Sequence, residues 1–378
     1  MPQLEKDIRT QSLDLLRFPL AVIVVIEHVF NKESVIVSNG VYDVANISIY
    51  IDLLLFIEAF LRSISVPTFF FISGYVFFLG VGNYNFTVFK RKLKNRVFTL
   101  LIPYVIWNLL EMVIPVAKSI LNGISSFSTY GTEVNFTLKN ILSCFWKYNG
   151  ELFVPISPTG ERIIEASLMP LNAPLWFLRD LMVIVLLTPI IFKLIKHTKY
   201  WLIVALLIIY FSFNYSLPYG NALLFFSMGA YLSVHNKDMV VVFGKFFTSS
   251  MVIYPLFSLL TLIATKYDNA ALAEIFKQIS TLGFLLFVYN ISIYVLKNTN
   301  FKPSKILPAA SFFIYVSHIL ICARVTKVMF MLIRPNSGVE TILVYILSTA
   351  CTVLSLLTVY VVMKKLSPGL LRILTGRK

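Results

Sequence analysis

Apolar residues run along this chain in blocks of roughly 17 to 25, the length an α-helix needs to cross a bilayer. Ten such blocks stand at about residues 13 to 31, 63 to 82, 97 to 117, 174 to 193, 200 to 215, 219 to 235, 247 to 265, 275 to 296, 307 to 331 and 341 to 363. Between them, lysine and arginine collect at 90 to 96, 193 to 199, 237 to 245, 297 to 305 and 364 to 378. These basic stretches fall on alternate loops, so the positive-inside rule predicts both termini on the cytoplasmic side. The expected fold is all-α, a polytopic membrane protein of about ten transmembrane helices, forming one integral-membrane domain over 1–378.

Two stretches break the hairpin rhythm. Residues 44 to 62 are apolar but carry Asp52, Glu58 and Arg62, with the last two at i,i+4, which predicts an interfacial or partly buried helix. Residues 118 to 173 form a long extracytoplasmic loop with Pro155, Pro158, Pro170 and an aromatic group, Phe145, Trp146 and Tyr148. A connection of that length is expected to be a lid, a binding element or a mobile stretch.

Composition agrees with the membrane reading: 58% of residues are hydrophobic, 13% are charged and the mean hydropathy is +0.80. A net charge of +15 would suggest nucleic acid in a soluble protein. Here the charge lies in short loops and the aromatics lie inside apolar runs, so no nucleic-acid partner is expected. The cysteines Cys144, Cys322 and Cys351 have neither disulfide nor zinc spacing, and no metal is expected. Lys6 and Arg9 ahead of an apolar run mimic a signal peptide, but no small-residue cleavage site follows, so the run is read as a retained first span.

That first span carries Asp14, Arg17, Glu27 and His28, and a charge at membrane depth costs at least a few kcal/mol without a partner or a cavity. Arg17 and His28 lie eleven positions apart, about 20° around the axis and roughly 16 Å along it. One helical stripe therefore carries a guanidinium near its start and an imidazole near its end.

Five motifs then stand in order: L-D-L-L-R with ten residues between Arg17 and His28; Val66-Pro67 followed by FFFISGYVFF; Leu101-Ile102-Pro103-Tyr104 after a basic run; Pro174-Leu175-Trp176-Phe177-Leu178-Arg179-Asp180; and Ser311 to His318. The ordered set resembles the acyltransferase 3 family of integral-membrane enzymes, which acylate cell-surface glycans, lipid-linked saccharides and a few small molecules. The resemblance implies a ten-helix bundle, an acyl-coenzyme A donor entering from the cytoplasm and an acceptor on the other side. Family positions fall on Arg17, His28, Ser73 and Gly74. The family's Arg-x-x-Arg before the third helix is half matched, with Arg96 in its first position and Thr99 in its second; Arg91 and Lys94 upstream are candidate substitutes.

His28 is the strongest base, suited to taking a proton from an acceptor hydroxyl as it attacks a thioester; the bland alternative is a core histidine bonded to a neighbouring helix. Asp14 is roughly 21 Å from His28 along the axis, but at i,i+3 it can hold Arg17. Glu27 points about 100° away from His28, so the partner that orients His28 stays open; Glu111, with Asn108 one turn back, is a candidate from another helix, and its bland alternative is a polar residue at a water-facing helix end. Arg17 suits bidentate phosphate contact, the bland alternative being a salt bridge with Asp14 alone; with the positions the resemblance implies, Asp14, Arg17, Ser73, Arg91, Lys94 and Arg96 form the expected donor-binding set. Topology alone also explains the basic run from Lys90 to Arg96. Trp176, Arg179 and Asp180 are the expected acceptor-binding residues. His318, sharing a face with Ser311 and Tyr315, reads as structural, and Arg324 and Lys327 can meet an anionic acceptor or snorkel.

The expectation is transfer of an acetyl group from acetyl-coenzyme A, used as co-substrate with no bound cofactor, to a hydroxyl of a surface glycan or its lipid-linked precursor, in the cell membrane. A transporter or flippase for a glycan or lipid-linked sugar shares the intramembrane charges. No inverted repeat supports it.

Overall fold

The computed structural model describes residues 2–38, 40–62, 64–124, 126–129, 132–146, 151–153, 164–166, 169–212, 219–299, 301 and 303–377. Tyr148, Pro155 and Pro158, expected in the long loop, lie outside the described residues. In chain order the elements are α1 (Pro2–Val29), β1 (Val35–Val37), β2 (Gly40–Tyr42), α2 (Ser48–Phe60), α3 (Ser65–Phe78), α4 (Phe86–Arg96), a π-helical turn (Val97–Leu101) and α5 (Ile102–Leu121). There follow β3 (Ser126–Thr129), β4 (Thr132–Asn135), α6 (Leu138–Ser143), β5 (Glu151–Phe153), β6 (Ile164–Ala166), α7 (Trp176–Leu186), α8 (Thr188–Thr198), α9 (Trp201–Ser212) and α10 (Gly220–Val234). The remainder is α11 (Met239–Gly244), α12 (Phe247–Lys266), α13 (Ala270–Asn298), α14 (Leu307–Ile333), α15 (Gly338–Leu366) and α16 (Pro368–Thr375).

The architecture is helical and suits a multi-pass membrane protein. Among the described residues, five helical segments are long and apolar enough to cross a membrane, or six if the bent pair α7 and α8 counts as one span. Helices occupy all ten apolar runs, with corrections. The third run begins at Phe86 and continues through the π-turn to Leu121, so the basic stretch is the first part of the helical segment instead of a loop before it. The fourth is two helices bent by 64°. Pro189 explains the break: it offers no N–H to the carbonyl of Val185 and its ring would clash there. Thr188 Oγ1 donates to that carbonyl instead, at 2.6 Å.

The described residues of the long loop include regular elements. They are the antiparallel hairpin β3–β4, the turn of α6 and the hairpin β5–β6. Residues 44 to 62 form α2, and its Glu58 and Arg62 pair at 3.7 Å as their spacing predicts.

Two compact units emerge from the contacts. The first comprises Met1–Asn31, Asn46–Leu93 and Val183–Phe312. Inside it α3 and α10 approach at backbone distance, because a Cβ on Gly74 would stand 2.0 Å from the Phe226 carbonyl oxygen and one on Gly229 would stand 2.1 Å from that of Phe71. Small residues at such a crossing allow the van der Waals packing that drives helix association in lipid. The α12–α13 hairpin is held by polar pairs, Ser258 with Ser280 at 2.7 Å and Asn290 with Ser250 at 3.0 Å.

The second unit comprises Lys32–Ala45, Lys94–Met182 and Phe313–Lys378. Phe313 packs edge-on against Trp107 and tilts against Tyr360, linking α14 to α5 and α15. Trp107 Nε1 donates to the carbonyl of Leu374 at 3.0 Å, which pins α16 to α5.

Candidate active site

In the first unit, α1 carries the stripe on which Asp14, Arg17 and His28 are expected. Arg17 Nη1 donates to Asp14 Oδ1 at 2.7 Å, as the i,i+3 spacing predicts, and the two side chains keep 37% and 40% exposure. A charge at membrane depth is costly without a partner, and each of these two side chains has the other. The hydroxyl of Tyr289, on α13, lies in the electrostatic reach of Arg17, and Tyr75 of α3 hydrogen-bonds the side chain of Arg9. Tyr289 and Tyr75 were absent from the expected set, although Tyr75 directly follows the Ser73-Gly74 motif. Ser73 is half-buried on α3 and Gly74 serves the α3–α10 crossing.

His28 lies in the last turn of α1. Just beyond it, Tyr50 of α2 stacks on Phe30 and donates its hydroxyl to the Asn31 carbonyl at 2.8 Å, fixing the chain where α1 ends. Glu27, the residue before His28, lies in the field of Arg62 and Lys277, and its Oε1 is buried without a hydrogen-bond partner. Those cations also pair with Glu58 at 3.7 Å and with Glu274 at 3.8 Å, a charge cluster contributed by α1, α2, α13 and the residue chain after α2.

The expected donor cations are divided. Arg91 is exposed on α4 in the first unit, whereas Lys94, exposed, and Arg96, half-buried, belong to the second. Thr99 sits in the π-turn, a backbone irregularity often found at functional sites. The C-terminus packs on it: a Cβ on Gly376 would meet the Thr99 backbone at 2.5 Å, and Gly376 has φ +62°. A groove lined by Phe98, Ile102, Arg372 and Arg377 lies alongside, so two further arginines stand where the sequence departs from the family pattern.

The second unit also holds Glu111, half-buried on α5 and electrostatically coupled to Cys322 of α14. Its neighbour one turn back, Asn108, is fully buried; it accepts from the Asn172 backbone N–H at 3.1 Å and donates to the Tyr104 carbonyl at 2.9 Å. Asn108 therefore fastens the end of the long loop to α5. His318 is fully buried and its Nδ1 donates to the Tyr315 carbonyl at 2.7 Å, while the Tyr315 hydroxyl donates to the Pro174 carbonyl. This backbone tethering is what a structural histidine would show.

Arg179 and Asp180 are both buried. Asp180 Oδ1 accepts from Arg179 Nε and Nη2, each at 2.8 Å, and Arg179 Nη1 donates to the Trp146 carbonyl at 2.8 Å. The guanidinium also lies over the Trp146 ring at 5.7 Å. The pair thus engages the loop, and Trp146 presents a half-exposed ring beside it; Trp176 is half-buried at the start of α7. Met112, Val134, Cys144 and Leu171 form a small apolar core against which Phe145 packs, and burial pushes the Cys144 thiol up to about 11.

Among the described residues no group of three or more His, Cys, Asp or Glu side chains is placed to hold a metal ion. A family profile described as an acyltransferase domain matches residues 10–361. The chain matches no curated protein and no solved structure.

Proposed function

Because the chain belongs to the acyltransferase 3 family, and is therefore a membrane acyltransferase, we propose that it moves an acetyl group from acetyl-coenzyme A to a hydroxyl of a cell-surface glycan or lipid-linked saccharide. The polypeptide acts as one integral-membrane domain with ten crossings and both termini in the cytoplasm. The observation that carries the reading is α1 itself. It holds a preformed Arg17–Asp14 pair at 2.7 Å and, roughly 16 Å further along the same stripe, His28 in its last turn.

Arg17, steadied by Asp14, takes a donor phosphate through its planar guanidinium. Ser73, Arg91, Lys94 and Arg96 contribute to the donor side. His28 removes the proton from the acceptor hydroxyl as that oxygen attacks the thioester carbonyl, and the coenzyme leaves as a thiol. Glu111 is the proposed partner that orients His28. The thioester is already activated, so the transfer calls on no redox step. On the acceptor side Trp176, Arg179 and Asp180 frame the binding region. The geometry favours Trp146 as the surface that touches the acceptor, because Arg179 and Asp180 are occupied with each other and with the loop.

The test uses membranes containing the full chain, supplied with labelled acetyl-coenzyme A, together with mass spectrometry of the surface glycan. Acetylation that depends on the donor and disappears in His28→Ala supports the reading. Acetylation at the wild-type rate in that variant refutes the base. Loss of glycan export instead of acetylation would point to transport.

A further inference from the structure

At one end of the first unit a cavity of about 390 Å³ opens between the α3–α4 turn and α8. Tyr84, Phe89 and Phe192 form its aromatic wall, and Lys193, Lys196 and His197 supply its charge. No residue of the proposed reaction lines it. The wall is fixed in place: the Tyr84 hydroxyl pairs with Thr188 Oγ1 at 2.8 Å, at the break between α7 and α8, and Tyr84 packs against Phe78 and Phe192. Both lysines and His197 are exposed.

The same helix, α8, also exposes apolar side chains. Ile190 and Leu194, one turn apart, are 59% and 41% exposed, and Phe86 at the cavity mouth is 77% exposed. In a membrane protein such an uncovered ladder is the surface that acyl chains cover. The sequence order along α8 thus places lipid-facing side chains directly beside a basic, aromatic-walled pocket. Basic pockets between membrane helices are the sites that take anionic lipid headgroups.

We propose that this cavity binds the phosphate headgroup of an anionic phospholipid. The phosphate sits on Lys193 and Lys196, the glycerol region lies against Tyr84 and Phe192, and an acyl chain descends along Ile190 and Leu194. A bound lipid there braces α8 at its 64° bend with α7, at the position where Pro189 removed the backbone hydrogen bond. The site is independent of the acyl donor and of His28.

Three arms test it on the purified full chain. Native mass spectrometry and thermal melting are recorded in nanodiscs of zwitterionic phospholipid, with and without added anionic phospholipid. The expected result is a retained anionic lipid and a raised melting temperature in the wild type. Lys193→Gln/Lys196→Gln should weaken retention about thirtyfold, at the usual strength of a lysine near an anionic surface. Lys245→Gln, a basic residue away from the cavity, should retain the lipid as the wild type does. Equal retention by the double variant overturns the proposal. So does competitive displacement of the lipid by soluble acetyl-coenzyme A, which would assign the cavity to a nucleotide.

Discussion

Arg179 Nη1 donates to the carbonyl oxygen of Trp146 across 2.8 Å, while Nε and Nη2 of the same guanidinium hold Asp180 Oδ1. One buried cation therefore does two things: it neutralises an aspartate inside an apolar helix, and it fastens the loop segment that follows α6. The exposed ring of Trp146 owes its position to a residue 33 positions later in the chain. Charge inside the second unit is thus converted into the placement of an aromatic surface.

Arg179→Ala leaves Asp180 buried without its counter-ion, and breaking such a pair typically costs about 3–5 kcal/mol. Thermal melting of the purified protein should show a large loss, and much of it should return in Arg179→Ala/Asp180→Asn, where no charge is stranded. The acceptor KM should remain raised in the double variant, because Trp146 has still lost its tether. If both variants melt alike, the stranded charge is not the cause.

The Arg17–Asp14 pair predicts a different signature. Both side chains are more than a third exposed, so the pair contributes only on the order of 0–1 kcal/mol to stability. Arg17→Ala should raise the KM for acetyl-coenzyme A and leave kcat and the melting temperature nearly unchanged, with Asp14→Asn weaker in the same direction. His28→Ala should instead lower kcat by about 10²–10⁴, the usual contribution of a general base. Steady-state kinetics on the three variants separate the two ends of α1; a kcat loss in Arg17→Ala with KM intact would contradict the assignment.

Much of this was legible in the sequence wherever one short range decides the outcome. Apolar runs became helices because lipid leaves the backbone no other way to satisfy its hydrogen bonds. Asp14 met Arg17 because i,i+3 neighbours on a helix lie within reach of each other. Pro189 was visible, yet the run around it stayed apolar, so a single span was expected and the 64° bend was not. The remaining contacts join distant positions and left no local trace. Gly376 settles on Thr99, Arg179 reaches Trp146, and Glu27 finds Arg62 and Lys277. Each depends on packing between segments that nothing in the intervening sequence announces.

Cys144 offers a reporter for the loop core. Burial holds its thiol up to about 11, so at pH 8 only about one molecule in a thousand carries the reactive thiolate. A raised thiol contributes stability that is complete below its ordinary range and is lost as pH climbs through about 11. In a Cys322→Ser/Cys351→Ser background, maleimide labelling of the folded protein at pH 8 should be slow, and the melting temperature should fall as the solution passes above about pH 9. Arg179→Ala should speed the labelling by freeing the loop. Rapid labelling of the unsubstituted loop would place Cys144 outside a closed core.

Gly74 tests whether the Ser73-Gly74 motif serves packing as well as chemistry. An added Cβ would stand 2.0 Å from the Phe226 carbonyl oxygen and 2.8 Å from its carbonyl carbon. Both neighbours are backbone, so no side chain can swing aside, and α3 must separate from α10. Gly74→Ala should therefore yield little folded protein, as should Gly229→Ala, whose Cβ would meet the Phe71 carbonyl oxygen at 2.1 Å. Gly82→Ala and Gly244→Ala supply the controls, since nothing lies within 4 Å of either added carbon. Size-exclusion profiles of detergent extracts decide the matter. If Gly74→Ala elutes as a monodisperse, wild-type-like peak while acyl transfer is lost, the motif acts through the donor and the close crossing is dispensable.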